Sequence, residues 1–296
     1  MRVAGIDCGT NSLRLLVMDC GEQLHREMRI VRLGQDVDRT GLLAADALER
    51  TRAALGDYAA VIERLDVERT RMIATSATRD AGNRADFVAM VQETVGVKPE
   101  VITGREEAEL SYAGAVGTLD GVDDPVLLID LGGGSTELVL GLSRVHSMDV
   151  GSVRMTERHL HDDPPTAEQL AAAVADVQRA LDAAAHDVPL DTGATLVGVA
   201  GTITTVAAIA LGLTEYDPER IHGSRLSREQ VAAVADRLAG LDHRGRAGIP
   251  VIHPGRVDVI TAGALILRAV VDRTGAAEVV VSEHDILDGV AASITE

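Results

Sequence analysis

A glycine-rich turn between two apolar segments constrains the fold of this chain more than any other feature. Val126 to Ile129 form an apolar run that ends in Asp130, and Leu138 to Leu140 resume the strand pattern. The turn between them contains Gly132, Gly133, Gly134, Ser135, Thr136 and Glu137. Glycine lets a ligand approach the main chain closely, and such a turn offers a ring of N–H groups to phosphate oxygens. The alternative is an ordinary hairpin turn with one extra glycine.

The same pattern occurs near the N-terminus, in residues 5–17. Asp130 lies 123 residues after Asp7, and the same offset relates Gly132 to Gly9 and Ser135 to Ser12. An internal repeat at this spacing predicts two related domains that face each other, each with a phosphate-binding hairpin. The phosphate-binding residues expected from the two hairpins are Gly9, Thr10, Asn11, Ser12, Arg14, Gly132, Gly133, Gly134, Ser135 and Thr136.

Composition limits the classes of partner. The 296 residues are 46% hydrophobic and 25% charged, which is typical of a soluble globular protein, and at 1% aromatic content the core must be aliphatic. A formal net charge of −18 argues against DNA or a membrane surface as the main partner. Phosphate must therefore be bound locally, by main-chain N–H groups, arginines and a divalent cation. Lys98 is the only lysine, and without G-x-x-x-x-G-K-[ST] the P-loop class is excluded.

Two cysteines, Cys8 and Cys20, lie in the first hairpin. They form neither a C-x-x-C motif nor a disulfide framework, so a reduced cytoplasm is the expected setting. Cys8 is inside the phosphate turn, where it is either a reactive thiol or a small buried filler. We expect no secretory leader, because the first residues lack a basic region followed by a long apolar one, and no apolar run approaches the ~18 residues needed to span a membrane.

The hydrophobic pattern predicts an α/β fold with mixed sheets in two domains, 1–122 and 123–296. An alternative for the closing helix at 285–294 is that it packs back on the first domain. In the first half we expect strands at 2–7, 13–19, 22–31, 70–74 and 98–102, and helices at 44–65, 84–95 and after Gly104. In the second half we expect strands at 126–140 (a hairpin), 145–150, 195–201 and 279–282, and helices at 167–186, 202–211, 227–240, 255–271 and 285–294.

Polar clusters follow several of these strands, and ligands gather at the carboxyl ends of strands in α/β sheets. Arg79, in a segment rich in hydroxyls, suits phosphate because its fork matches two oxygens. Gly201 and Thr202 either present helix N-terminal amides to phosphate or form a plain N-cap. Glu106, Glu107 and Glu109 follow Gly104. Acids favour the first turn of a helix, so the sequence alone leaves open whether one of them activates water.

These motifs together resemble the exopolyphosphatase/guanosine pentaphosphate phosphatase (Ppx/GppA) family of the actin-like ATPase superfamily. The resemblance covers nearly the whole chain. It rests on DCGTNSLRLLV (7–17), ATSATRDAGN (74–83), ITGREEAELSY (102–112), VLLIDLGGGSTEL (126–138), GSVRMTE (151–157), GVAGTITT (198–205), VDVITAGALIL (257–267) and SEHDILDGV (282–290). The resemblance implies two ribonuclease-H-like domains with an active cleft between them, of the short, two-domain type.

The resemblance also implies roles for individual residues. Glu107 corresponds to the catalytic base, and Asp130 and Glu137 to residues that position metal and water. Arg79 corresponds to an arginine near the phosphates. With the twin position Asp7, the expected ligands of Mg²⁺ (or Mn²⁺) are Asp130, Glu137 and Asp7, and the expected catalytic residues are Glu107 and Asp130.

The expected function is hydrolysis of the terminal phosphoanhydride of inorganic polyphosphate, with release of orthophosphate. A 5′-phosphatase acting on pppGpp is the first alternative, because it would use the same fold and site. A non-hydrolytic actin-like nucleotide-binding module is the second, and a sugar or acetate kinase the third. A homodimer is a family-level expectation.

Overall fold

Among the described residues, two mixed β-sheets, one of five strands and one of six, organise the fold. In this computed structural model, which describes residues 1–141 and 143–295, each sheet belongs to one of two units. The first unit is Met1–Gly114 with Asp285–Glu296, and the second is Ala115–His284. The fold class predicted from the sequence, α/β with mixed sheets in each half, is confirmed.

The sheet of the first unit has the order β3-β2-β1-β4-β5. Three strands form an antiparallel meander, and β4 and β5 run parallel to β1. This order is that of a ribonuclease-H-like domain. The strands are β1 (Arg2–Cys8), β2 (Ser12–Asp19), β3 (Glu22–Ile30), β4 (Arg69–Ala74) and β5 (Glu100–Val101). The helices that precede the second unit are α1 (Val37–Thr40), α2 (Ala45–Arg64), α3 (Ser76–Asp80), α4 (Arg84–Val95) and α5 (Gly104–Ala115).

The sheet of the second unit has the order β10-β11-β9-β6-β7-β8. A hairpin and a third antiparallel strand come first, and β9 and β11 lie parallel to β6. The strands are β6 (Val126–Leu131), β7 (Thr136–Leu140), β8 (Arg144–Met148), β9 (Thr195–Val199), β10 (Arg225–Ser227) and β11 (Glu278–Val281). The helices are α6 (Ser152–His159), α7 (Ala167–Ala184), α8 (Ala200–Ala210), α9 (Pro218–Ile221), α10 (Arg228–Ala239), α11 (His243–Ala247) and α12 (Ile260–Thr274), with 3₁₀ turns at Val116–Thr118 and Pro254–Arg256.

The last helix, α13 (Ile286–Ala292), lies on the sheet of the first unit. It packs Leu287 and Ala291 against Leu16 of β2. Gly5 permits this close approach, because a Cβ at that position would lie 3.1 Å from the backbone nitrogen of Ala291. The opposite face of the sheet buries Leu13 and other aliphatic side chains against α2 and α4. Successive side chains of a strand point to opposite faces of the sheet, and in this unit each face is covered by helices.

Some predicted elements differ from the observed ones. The strand expected at 98–102 is reduced to Glu100–Val101, and the helix expected at 255–271 begins only at Ile260. Helix α8 begins at Ala200 rather than at Thr202, so the interpretation of Thr202 as a plain N-cap is wrong. The sequence pattern did not indicate α1, α3, α6, α9, α11 or β10, all of which have eight residues or fewer. Within residues 1–141 and 143–295, none of the helices combines the length and apolar character that a membrane crossing requires.

Candidate active site

The first hairpin turn is held by the main chain on both sides. The N–H of Gly9 donates to the carbonyl of Ser12 at 2.9 Å, which closes the turn. The carbonyl of Asn11 accepts the N–H groups of Val31 and Arg32, from the loop after β3. The Thr10 and Ser76 hydroxyls are 2.8 Å apart. The turn is therefore fixed in place by the loop after β3 and by the segment that follows β4.

The segment after β4 places Arg79 next to Glu107. Arg79 donates from Nη1 to Oε2 of Glu107 at 3.0 Å and to the carbonyl of Ile102 at 3.1 Å. Glu107 is 7% exposed. Because β1 and β4 are parallel neighbours, with Cys8 beside Ala74, the first turn and this pair lie at the same edge of the sheet. The first unit thus brings together the predicted phosphate turn, the predicted phosphate arginine and the predicted base.

The other two acids near Gly104 are engaged elsewhere. Glu106 accepts from Arg71 at 3.0 Å, and Glu109 pairs with Arg105, four residues earlier, at 2.9 Å. The side chains of Glu106 and Glu109 are 43% and 47% exposed. Of the three acids that the sequence left open, Glu107 is the one that is buried beside an arginine of the phosphate segment.

The second hairpin repeats the first. Its turn is closed by a hydrogen bond from the N–H of Gly132 to the carbonyl of Ser135 at 3.0 Å. Asp130 and Glu137 are directly opposed across β6 and β7, and both are buried. Ser147 donates to Oε1 of Glu137 at 2.7 Å. Two buried carboxylates one strand apart form an arrangement that suits a cation.

The N-terminal residues of helix α6 hold the second turn by donating hydrogen bonds to the carbonyl groups of the turn. The N–H of Ser152 donates to the carbonyl of Gly132, and the N–H groups of Val153 and Arg154 donate to that of Gly133. The Arg154 side chain donates from Nε to the carbonyl of Gly134 at 2.7 Å. These bonds fix the peptide planes of the turn. Arg154 lies within the GSVRMTE motif, but the motif by itself does not predict this contact.

Arg256 is a second residue whose position at the site the sequence did not predict. Its guanidinium packs on Gly201, where an added Cβ would lie 2.0 Å from Nη2. Nη1 also donates to the hydroxyl of Thr205 at 3.2 Å. Thr202 is buried beside Gly263. Since Val199 of β9 pairs with Asp130 of β6, this arginine and the start of α8 lie at the same sheet edge as the second turn.

The two hairpins differ in charge at one equivalent position. Arg14 is directly opposite Asp7, and Glu137, 123 residues after Arg14, is directly opposite Asp130. The guanidinium of Arg14, a predicted phosphate ligand, donates to Asp7 Oδ2 from Nε (2.9 Å) and Nη2 (2.6 Å). Burial raises the pKa of the Asp7 carboxyl above its ordinary value, and Arg14 opposes this rise.

Asp7 also fits the predicted divalent cation. Its Oδ1 atom is buried and, among the described residues, has no hydrogen-bond partner. Within the same residues, no group of three or more His, Cys, Asp or Glu side chains could hold a metal ion by itself. Mg²⁺ commonly binds through one or two carboxylates and takes its other ligands from water and substrate phosphates. The residues present fit that mode of binding.

Cys8 is buried next to these groups. Burial, with a smaller contribution from Asp7, raises the pKa of the Cys8 thiol well above its ordinary value. A thiol that stays protonated is a poor nucleophile. Of the two roles that the sequence left open for Cys8, the structure favours the buried filler.

With this fold and these hairpins, the chain belongs to the Ppx/GppA phosphatase family, whose model matches residues 17–296. It is 49% identical to exopolyphosphatase 2 of Mycobacterium tuberculosis (strain H37Rv) in an alignment of 313 residues, which covers 99% of this chain and 98% of that protein. The predicted family is therefore confirmed.

Two further relatives bear on the fold and on the activity. The crystal structure of an exopolyphosphatase-like protein superposes with a TM-score of 0.96 at 43% identity, covering 99% of this chain and 98% of that one. A guanosine-5′-triphosphate,3′-diphosphate pyrophosphatase of Photobacterium profundum is 32% identical over 251 residues. That alignment covers 82% of this chain and 50% of the relative.

Proposed function

We propose that this protein is an exopolyphosphatase, which hydrolyses the terminal phosphoanhydride of inorganic polyphosphate and releases orthophosphate. The observation that carries the proposal is that the buried carboxylate of Glu107 accepts a hydrogen bond from Arg79, at the same sheet edge as a phosphate-type turn. A module that only binds nucleotide has no need of a buried carboxylate there. The full-length similarity to a protein named exopolyphosphatase 2 supports polyphosphate as the substrate.

Phosphate binding is assigned to both turns and to arginines. In the first unit, the N–H groups of residues 9–12 and the guanidinium of Arg79 bind phosphate oxygens. In the second unit, the N–H groups of residues 132–136 and the N-terminus of α8, with Gly201 and Thr202, do the same. Arg256 joins this group because it packs directly on Gly201. Local donors of this kind allow a chain of net charge −18 to bind a polyanion.

Proton transfer is assigned to Glu107. Its carboxylate accepts a proton from the water that attacks the terminal phosphorus, and Arg79 holds the carboxylate in position. In the second unit, Asp130 and Glu137 would hold Mg²⁺ or Mn²⁺, and in the first unit Asp7 offers a carboxylate oxygen to such a cation. When bound, such a cation neutralises charge on the phosphoryl oxygens.

Hydrolysis of pppGpp at its 5′ end is the second candidate activity. The similarity to the Photobacterium profundum enzyme favours it. The two substrates end in the same chemical group, a terminal phosphoanhydride, so the groups described above serve both. A guanosine pocket would distinguish them, and with aromatic residues at only 1% of the chain few side chains could stack on a base.

Phosphate release from long polyphosphate, short polyphosphate, pppGpp and ATP, measured in parallel, tests the proposal. We expect polyphosphate to give the highest kcat/KM, and EDTA to abolish turnover until Mg²⁺ or Mn²⁺ is restored. A higher kcat/KM for pppGpp would favour the second candidate. ATP-induced assembly without phosphate release from any substrate would favour a non-hydrolytic actin-like module.

The proposal includes a homodimer that acts in the cytoplasm. The free cysteines Cys8 and Cys20 are consistent with a reducing compartment. Light scattering on the purified protein at micromolar concentration measures the oligomeric state, and a monomer mass would contradict the dimer.

A further inference from the structure

Arg14 is turned toward carboxylates in the first unit. Two of its nitrogens donate to Asp7, and its third, Nη1, donates to Oδ2 of Asp285. The side chains of Asp7 and Asp285 are 4% and 5% exposed, and that of Arg14 is 18% exposed. The guanidinium therefore joins two buried carboxylates that are 278 residues apart in the sequence.

Asp285 connects this cluster to the closing helix. Its Oδ1 atom accepts the N–H of Leu287 at 3.0 Å, which caps the N-terminus of α13. Its own N–H donates to Asp288, and Asp288 is in turn paired with Arg26 of β3. The first turn of α13 is thus fixed to β2 and β3 through two arginines, of which only Arg14 reaches Asp7.

The charge of this cluster favours a cation over a phosphate. One guanidinium and two ionised carboxylates sum to −1. The hydrogen bonds of Arg14 occupy Oδ2 of Asp7, and they leave Oδ1 buried without a partner among the described residues. A phosphate placed beside Arg14 would meet two carboxylates, whereas a divalent cation at Oδ1 would reduce the net negative charge.

The repeat supports the same conclusion. The position opposite the turn aspartate is an arginine in the first hairpin and a glutamate in the second. A carboxylate partner adds a potential cation ligand, while an arginine partner fixes the one carboxylate that is present. Outer groups that orient a metal-binding carboxylate commonly change metal affinity when they are removed.

We propose that Arg14 and Asp285 are positioning residues that hold Asp7 with one oxygen free for a divalent cation. This inference rests on the proposed function only for the presence of that cation. It makes the N-cap of α13 part of the cation site, and it gives Arg14 a role other than the phosphate binding expected from the sequence.

Calorimetric titration of the substrate-free protein with Mn²⁺ tests the proposal without any turnover. In Asp285→Asn the amide oxygen still caps α13, but the charge that holds Arg14 is gone. We expect the Kd for Mn²⁺ to rise about tenfold or more, the change typical of lost outer-shell partners. Asp288→Asn is the matched control, because it removes one charge from the same capping box and leaves the Arg14 cluster intact; its Kd should stay within about twofold of the unmodified protein.

Arg14→Lys gives a second, independent readout. Lysine keeps the charge but cannot donate to both carboxylates with a planar fork. We expect the Kd for Mn²⁺ to rise as in Asp285→Asn, and the double variant to show no further loss, because both residues act through Asp7. Melting temperatures of all variants are measured alongside, and binding is titrated well below them.

Two results would overturn the positioning role. One is an unchanged Kd for Mn²⁺ in both Asp285→Asn and Arg14→Lys. The other is an Arg14→Lys protein in which only the KM for polyphosphate rises, which would make Arg14 a phosphate ligand. If the unmodified protein binds Mn²⁺ and Asp285→Asn weakens that binding, but polyphosphate is not cleaved, the positioning role stands and the proposed substrate fails.

Discussion

At the level of single residues, burial distinguishes three acids that the sequence could not separate. Glu106, Glu107 and Glu109 all follow Gly104 within one and a half helical turns. Two of them, Glu106 and Glu109, form ion pairs with Arg71 and Arg105 and keep more than two-fifths of their side chains exposed. The third is buried against Arg79. A carboxylate that is held by one arginine and shielded from bulk water is better placed to receive a proton than one shared with solvent.

Glu107→Gln should lower kcat for polyphosphate by about 10²–10⁴-fold, the range typical of a positioned general base. Glutamine preserves the size of the side chain and can still accept from Arg79, so KM should change little. Steady-state phosphate release measures both constants. Glu106→Gln is the matched control, and equal losses in the two variants would contradict the assignment to Glu107.

Gly201→Ala should displace the guanidinium of Arg256, because the new Cβ would lie 2.0 Å from Nη2. A long side chain can move away, so we expect a small change in melting temperature and a clear rise in KM for polyphosphate. Gly240→Ala is the control, since its Cβ would have only ordinary contacts at 3.6 Å and beyond. An unchanged KM in Gly201→Ala would show that Arg256 does not act at this turn.

Arg256 and Arg154 also show why part of the site was not predictable. The glycine turns carry a local pattern, D-x-G-x-x-S, that can be read within one segment. The two arginines reach the site from α6 and from the 3₁₀ turn at Pro254–Arg256, and no glycine-rich phosphate pattern surrounds either of them. Their role depends on which segments lie side by side, and that is decided by the order of strands.

At the level of elements, helices α5 and α13 of the first unit cross at a glycine of each helix, so that their backbones come close together. An added Cβ at Gly114 of α5 would lie 2.0 Å from the carbonyl oxygen of Asp285. One at Gly289 of α13 would lie 2.1 Å from the carbonyl oxygen of Leu110. Backbone atoms cannot move away as a flexible side chain can, so both positions require glycine for this packing.

Gly114→Ala should therefore destabilise the first unit by about 1–3 kcal/mol, the usual cost of overpacking. The free energy of unfolding, obtained from urea denaturation followed by circular dichroism, measures the loss. Gly117→Ala is the matched control, because no atom lies within 4 Å of its new Cβ. Equal stability of the two variants would mean that α5 and α13 do not pack this closely.

Element boundaries were predictable where apolar periodicity was strong. Helix α4 (Arg84–Val95) has the predicted limits, and α2 differs from its prediction by one residue at each end. The start of α8 was misplaced because its first residue, Ala200, has a φ of 73°, in the left-handed region that only glycine adopts freely. Such strain is imposed by packing at a strand end and leaves no mark in the local sequence.

At the level of the whole molecule, enzyme and proposed substrate carry charge of the same sign. The net charge of −18 repels a polyanion at long range, whereas the arginines and N–H groups act only at contact. At 0.15 M salt, charges are screened beyond about 8 Å. The long-range repulsion should therefore weaken with salt sooner than the local attraction does.

We expect kcat/KM for polyphosphate to rise as NaCl is increased from about 0.01 M to 0.1 M at constant free Mg²⁺, over which range the Debye length falls from about 30 Å to about 10 Å. Enzymes with a basic approach surface show the opposite trend. Potassium acetate in place of NaCl controls for specific effects of chloride. A steady fall in kcat/KM over this range would mean that the local positive groups dominate the approach.

The return of α13 to the first sheet has a consequence for biosynthesis. The first unit is interrupted in sequence, because its sheet precedes the second unit and its last helix follows it. On the ribosome, Leu16 and the other apolar side chains beneath α13 have no cover until residues 286–292 have been made. All of β6 to β11 is synthesised before that helix. The order of synthesis therefore allows the second unit to acquire its own core while the first still exposes one face of its sheet.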